Sequence, residues 1–257
     1  MRIGAHVDPT DPLAEAAARG AEAVQFFLAD PQKFDDPLPR EDAELLRASE
    51  VDVYIHAPYR LNLASLNNRI RIPSRKLLMT HARAAAAIGA KGLIVHGGHV
   101  DGGDLEAGFA NWKKAFEYAE KDGGFPLPIL IENTAGGTNA CARRFDDLAR
   151  LWDAVGGFGA GFCLDTCHAF AGGEDLVGIV DRLKAITGRI DLIHANDSKG
   201  GFDSGQDRHD NLGNGKIDPE LVVAAIRASG APAIVETPGG LDGQRADIAL
   251  LRERSGV

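Results

Sequence analysis

Cys163-Leu164-Asp165-Thr166-Cys167-His168 closes an apolar run that starts at Gly159. The run reads as a buried strand, and the hexapeptide sets a carboxylate and an imidazole three residues apart where that strand should end. On a regular strand, positions 165 and 168 face opposite ways. They converge only if the chain has begun to turn by His168, which makes this a strand-end site. From the hexapeptide alone, a hydrogen-bonded couple, half of a metal site and an acid/base pair are all open.

The arrangement recurs along the chain. Strand-like runs cover 2–7, 23–28, 51–56, 92–96, 129–133, 159–165, 190–196 and 233–237. Helical patterns fall between them, at 11–20, 40–49, 74–89, 105–121, 145–154, 175–187 and 219–229, with a last one at 244–254. Pro39-Arg40-Glu41-Asp42 and Ile217-Asp218-Pro219-Glu220 read as helix starts, with Asp218 as an N-cap and Pro219 in the first helical position. Eight β/α units without a linker or low-complexity segment imply an α/β fold, a TIM (β/α)8 barrel forming one domain over residues 1–257. An open doubly wound sheet would want a Gly-rich phosphate loop after the first strand, and Ala5-His6-Val7-Asp8-Pro9 is not one.

Hydrophobic residues at 44% and charged residues at 25% suit an ordinary soluble domain. No apolar run approaches the ~18 residues of a membrane span, and Met1-Arg2-Ile3-Gly4 leads into a strand with no signal-peptide core. The cytoplasm is the default compartment, no membrane partner is expected, and a monomer is the expected state. Cys141, Cys163 and Cys167 lack metal-knuckle spacing and read as reduced, packed thiols. The formal charge of −9 has the wrong sign for a simple nucleic-acid binder.

In such a barrel the reactive groups sit at the carboxyl ends of the strands. Those ends here carry His56, His96, Glu132, Asp165 with His168, His194 and Glu236, and the loop after strand seven adds Asp207-Arg208-His209. Any one of them alone suits a hydrogen-bonded structural role better than ligation. Together they do not, because imidazoles and carboxylates behind apolar runs are costly to bury without compensation. Divalent metal is the economical compensation. Mixed imidazole and carboxylate donors suit Zn²⁺ first, with Mn²⁺ or Fe²⁺ as the alternative at one position. At three to four ligands per ion, nine residues imply two or three ions. Metal clusters ~3.5 to 4 Å apart serve in-line displacement at phosphorus, so phosphoester hydrolysis follows.

The motifs also resemble a known family. Gly4-Ala5-His6-Val7, His56-Ala57-Pro58-Tyr59 with Asn62-Leu63, Glu132-Asn133-Thr134-Ala135-Gly136, the opening hexapeptide, Asn196-Asp197-Ser198-Lys199, Asp207-Arg208-His209 and Glu236-Thr237-Pro238 occur in the order of endonuclease IV, the metal-dependent apurinic/apyrimidinic DNA-repair endonuclease. The resemblance implies three zinc ions per chain. His56, His96 and Glu132 would hold the first; Glu132 would bridge to a second held by Asp165, His194 and Glu236; His168, Asp207 and His209 would hold the third. It implies base-excision repair: hydrolysis of the phosphodiester 5′ of an abasic site in double-stranded DNA, leaving a 3′-hydroxyl and a 5′-deoxyribose phosphate, with 3′-diesterase and 3′-phosphatase cleaning of blocked 3′ ends. Glu132 would be the catalytic bridge.

Three such ions would bring the formal charge from −9 to −3 and leave the four site carboxylates with a local +2. Basic residues gather in loops expected on the same face: Arg60, Arg69, Arg71, Arg75 and Lys76 after strand three, and Lys199, Arg208 and Lys216 around strand seven. The DNA contacts expected are Gln32, Tyr59, Arg60, Arg69, Arg71, Lys199 and Arg208. Tyr59 matches a side chain that the family pushes into the duplex. Arg60 stands where the family is usually apolar, Gln32 where an Arg is common, and His96-Gly97-Gly98-His99 lacks the usual proline. His6 is expected to be a barrel-mouth hydrogen-bonding residue and His81 a surface helix residue. Sugar isomerases and epimerases of xylose-isomerase-like barrels are the competing reading, but they leave His168, Asp207 and His209 without a task. A DNA-binding module without catalysis is disfavoured by the complete ligand set.

Overall fold

A computed structural model describes residues 1–137 and 139–256. The barrel strands are β1 (Ile3–His6), β2 (Ala23–Phe27), β3 (Asp52–His56), β4 (Gly92–His96), β5 (Ile129–Glu132), β6 (Gly161–Asp165), β7 (Leu192–His194) and β10 (Ala233–Val235). They close in the order β1-β10-β7-β6-β5-β4-β3-β2, every neighbour parallel. Between β7 and β10 a two-stranded antiparallel ribbon, β8 (Asp197–Ser198) and β9 (His209–Asp210), stands off the barrel. The helices are α1 (Pro12–Arg19), α2 (Ala43–Ala48), α3 (Asn68–Ala87), α4 (Leu105–Glu120), α5 (Phe145–Val155), α6 (Thr166–Gly172), α7 (Ile179–Thr187), α8 (Pro219–Ser229) and α9 (Gly240–Ser255). No described helix is long and apolar enough to cross a membrane.

Helix ends follow local chemistry. Asp218 caps α8 by accepting from Glu220 N, with Pro219 in the first turn, as the sequence predicts. Asp42 makes no such bond and instead pairs with Arg40, so α2 begins at Ala43, later than expected. The helix expected from residue 74 begins at Asn68, because the Asn67 side chain accepts from Arg69 N and starts a turn ahead of Pro73. Arg69 and Arg71 therefore lie on the opening turns of α3, a correction to the loop expected there. His81 is also corrected: it is wholly buried, on the face that carries Leu77, Leu78 and Ala85.

Two cores follow from the period of two along each strand. Outward residues such as Leu93, Val95, Ile129 and Ile131 pack against the helices. Inward, Ala23, Tyr54, Ile94, Leu130, Cys163, Leu192 and Ile234 meet in the barrel interior as a separate apolar cluster. Gly92 leaves room for this layer, since a Cβ there would come within 2.9 Å of Leu130 Cδ1. Two residues further along each of those strands comes a polar side chain: Gln25, His56, His96, Glu132, Asp165, His194 and Glu236. An apolar floor thus supports a polar rim at the carboxyl ends of the strands. Cys141, Cys163 and Cys167 are free and buried.

Candidate metal centre

Glu132 stands at the centre of the rim, fully buried. Its Oε2 lies 3.2 Å from His56 Nε2 and 3.4 Å from His96 Nε2. Its Oε1 faces the other way, 3.2 Å from His194 Nδ1. The two oxygens of one carboxylate therefore serve two sets of imidazoles. His194 Nδ1 also sits 3.3 Å from Glu236 Oε2 and 3.9 Å from Asp165 Oδ2.

Asp165 solves the geometry of the opening hexapeptide. It ends β6 and its Oδ1 accepts the backbone N–H of His168 at 2.7 Å, so it caps α6 and turns His168 back over the rim. His168 Nε2 lies 3.1 Å from Asp207 Oδ1. The ribbon brings His209 Nε2 to 3.4 Å from the same Asp207 oxygen and 3.5 Å from Asp165 Oδ2. Three groups of metal-capable donors result, with ligand atoms within 4.8 Å in each: His56, His96 and Glu132; Glu132, Asp165, His194 and Glu236; and Asp165, His168 and His209. Asp207 joins the last through its contacts to both imidazoles.

The donor set fits bound cations. Three imidazoles commit one nitrogen to an atom that is not a metal-capable donor: His56 Nδ1 to Ala57 O at 2.7 Å, His209 Nδ1 to the backbone O of Glu236 at 3.3 Å and His194 Nε2 to Gln25 Oε1 at 2.8 Å, while His168 Nδ1 is shared between Asn133 O at 3.0 Å and Glu132 Oε1 at 3.1 Å. Such bonds set the tautomer and aim the other lone pair inward. His168 Nε2 and His209 Nε2 are buried beside the Asp207 carboxylate, at 3.1 and 3.4 Å, yet neither makes a well-directed hydrogen bond, an expensive arrangement that a cation between them relieves.

The electrostatics match. Burial would raise the Glu132 carboxyl, but His194 and His96, with hydrogen bonds from His168 and His194, outweigh it and hold it well below the usual range. Glu236 behaves alike, with His194 and His6 overcoming burial. Burial pushes His96 down to about 4, so its imidazole is neutral and ready to ligate. Burial also opposes charge on His168 and His194, but carboxylates around the first, and Cys163 with Glu236 and Glu132 around the second, raise both. Protons on those rings stand in for positive charge that the carboxylates demand.

Two of the expected DNA contacts, Tyr59 and Arg60, line the mouth beside His96. Tyr59 is half exposed, stacked 5.8 Å from the His96 ring and edge-on to Phe27 at 5.1 Å. A cavity of about 370 Å³ opens there beside His96, between Tyr59, Arg60, Asn62 and His99. Arg60 lies over the Phe34 ring at 6.0 Å. Gln32, Lys199 and Arg208 are exposed, as is Arg69, while Arg71 is partly engaged with Ser65 O at 3.3 Å and with Asn68 Oδ1. His6 meets its expectation, 2.9 Å from Gln25 Nε2 and 3.4 Å from Glu236 Oε1.

Sequence reasoning passes over Gln25, Asn133 and Asn196 as rim supports. Asn133 exchanges two hydrogen bonds with the Asp165 backbone, at 2.8 and 2.9 Å. Asn196 donates to Asp165 Oδ2 at 2.8 Å and accepts from Glu236 N at 2.8 Å. For Gln25 a signal exists, since it follows inward-facing Ala23 by two residues as the other rim residues follow theirs.

A family model for the xylose isomerase-like TIM barrel matches residues 13–254. The class is therefore that barrel, here with a buried imidazole and carboxylate rim. A probable endonuclease 4 of Mycobacterium bovis (strain BCG / Pasteur 1173P2) is 58% identical over 257 residues, 100% of each chain. The chain belongs to the endonuclease IV family, a family of nucleases. The crystal structure of endonuclease IV from Thermus thermophilus matches with a TM-score of 0.84 at 30% identity, covering 99% of this chain and 98% of that one. A D-tagatose 3-epimerase-like protein matches with a TM-score of 0.81 at 21% identity, over 99% of this chain and 97% of that one. That likeness shows the shared fold alone.

Proposed function

We propose that this protein is a zinc-dependent apurinic/apyrimidinic endonuclease that hydrolyses the phosphodiester 5′ of an abasic site in duplex DNA and also cleans blocked 3′ ends. His56, His96 and Glu132 hold one cation, with Glu132 shared by a second held by Asp165, His194 and Glu236. His168, Asp207 and His209 hold a third. Bound there, divalent ions supply water activation near neutral pH and neutralise charge on the departing oxygen.

The chain's own residues do the rest. Gln25, Asn133 and Asn196 keep the donors aimed, and the apolar floor excludes water from below. Tyr59 and Arg60 meet the duplex beside the lesion, while Gln32, Arg69, Arg71, Lys199 and Arg208 contact its backbone. The single observation that carries this proposal is Glu132, whose two oxygens face different imidazole sets at 3.2 Å each. The test is incision of a duplex carrying one abasic analogue. Chelator is expected to remove incision and added Zn²⁺ to restore it; persistent incision by metal-free protein would overturn the proposal.

A further inference from the structure

Asp203 is the one described residue other than glycine with a left-handed backbone, at φ 58°. Aspartate tolerates that region better than most residues, yet glycine would sit there without a Cβ clash. Its carboxylate has a task that glycine could not perform. Oδ1 accepts from Arg143 Nη2 at 3.0 Å and from Arg144 Nη2 at 2.7 Å. Arg144 Nη1 donates in turn to the carbonyl of Gly173 at 3.0 Å. Gly173 has φ 89°, which disfavours any side chain, and a Cβ there would also displace Arg144 Nη1 and Asp203 Oδ1.

These bonds tie together three segments of the rim. Arg143 and Arg144 end the loop that follows Glu132. Gly173 ends α6, whose first turn carries His168. Asp203 lies in the loop between β8 and β9 that delivers Asp207 and His209. Backbone bonds hold this loop to α6, from Asp203 N to Phe170 O at 3.1 Å and from Gly205 N to Ala171 O at 2.8 Å. The Asp203 carboxylate adds the tie to the loop after β5. We propose that Asp203 is a positioning residue, whose clamp with Arg143 and Arg144 holds Asp207 and His209 at their distance from His168 and so sets the affinity of that cation group alone.

This inference rests on the three-ion reading of the centre, and the experiment separates the two. Zinc-loaded full-length protein, wild type and Asp203→Gly, is dialysed against graded zinc buffers and the ions per chain are counted. Glycine keeps the backbone conformation and removes the clamp. The variant is expected to lose one ion at about 10- to 100-fold higher free zinc than wild type, with the other two unmoved. The melting temperatures of the two metal-free proteins are expected to coincide. Unchanged affinity at all three positions would overturn the clamp. Parallel loss of all ions, or a lower melting point of the metal-free variant, would also overturn it by making Asp203 merely structural. A wild-type count below three would instead sink the three-ion reading. Should Asp203→Gly not fold, Asp203→Ala under the same dialysis removes the acceptor oxygen and carries the same outcomes for the three ions.

Discussion

Gln25 Oε1 accepts the Nε2 proton of His194 at 2.8 Å, which turns His194 Nδ1 toward Glu132, Asp165 and Glu236. The amide cannot be flipped, because Gln25 Nε2 donates to Glu236 Oε1 at 2.6 Å. One wholly buried amide thus fixes both a tautomer and a carboxylate. Gln25→Ala is expected to weaken zinc binding at the shared position by about 10- to 100-fold. Competition with a chromophoric chelator reads this directly, and an unchanged titration would show that His194 keeps its tautomer without help.

Glu132→Ala removes the carboxylate common to two donor groups and leaves the strand pairing of β5 intact. Incision is expected to fall by about 10³-fold or more, since metal stabilisation of the transition state is worth several kcal/mol. The circular dichroism spectrum is expected to stay that of the wild type. Near-wild-type incision would rule out a shared Glu132.

His81 makes stability depend on pH. Burial lowers its pKa below the ordinary value of 6.5, against the opposing pull of Asp35 O and Asp36. Above that value both folded and unfolded chains carry a neutral ring, and nothing is gained or lost. As pH falls below it, the unfolded chain takes up a proton that the folded chain resists, so stability drops. In urea titrations at pH 7 and pH 5, His81→Gln is expected to lose less stability than wild type. An equal loss would mean that His81 is protonated in place.

The thiols are expected to be inert. Cys141 is wholly buried, and burial with Asp147 nearby pushes its pKa up to about 12. At pH 8 its thiolate fraction is then about 10⁻⁴, against some tenths for a free cysteine. Native protein should show no fast reaction with a disulfide reagent, and urea should expose all three thiols. Rapid labelling of native protein would show that the helix layer opens.

Strand ends are legible in the sequence because the period of two carries each strand from an apolar residue to a polar one: Ile94 to His96, Leu130 to Glu132, Leu192 to His194. Asp207 and His209 have no such pattern around them. They reach the rim on a ribbon whose short pairing, Asp197 with Asp210 and Ser198 with His209, leaves no periodic signal. Gln25 escapes notice because it carries no charge, although its spacing is the same. His81 reads as exposed among alanines, yet Leu77, His81 and Ala85 recur every four residues and mark one buried face of α3. Arg69 and Arg71 read as loop residues because they follow the asparagines Asn67 and Asn68, whereas Asn67 in fact caps a helix that starts ahead of Pro73.

The layer formed by Tyr54, Ile94, Leu130, Cys163, Leu192 and Ile234 makes this barrel a cup, stoppered at its base. Whatever enters or leaves the centre, whether cation, proton or chelator, has to pass the same opening that a bound duplex would cover. On the proposed function, occupancy by DNA and retention of metal would thereby be linked through simple obstruction, with no moving part required.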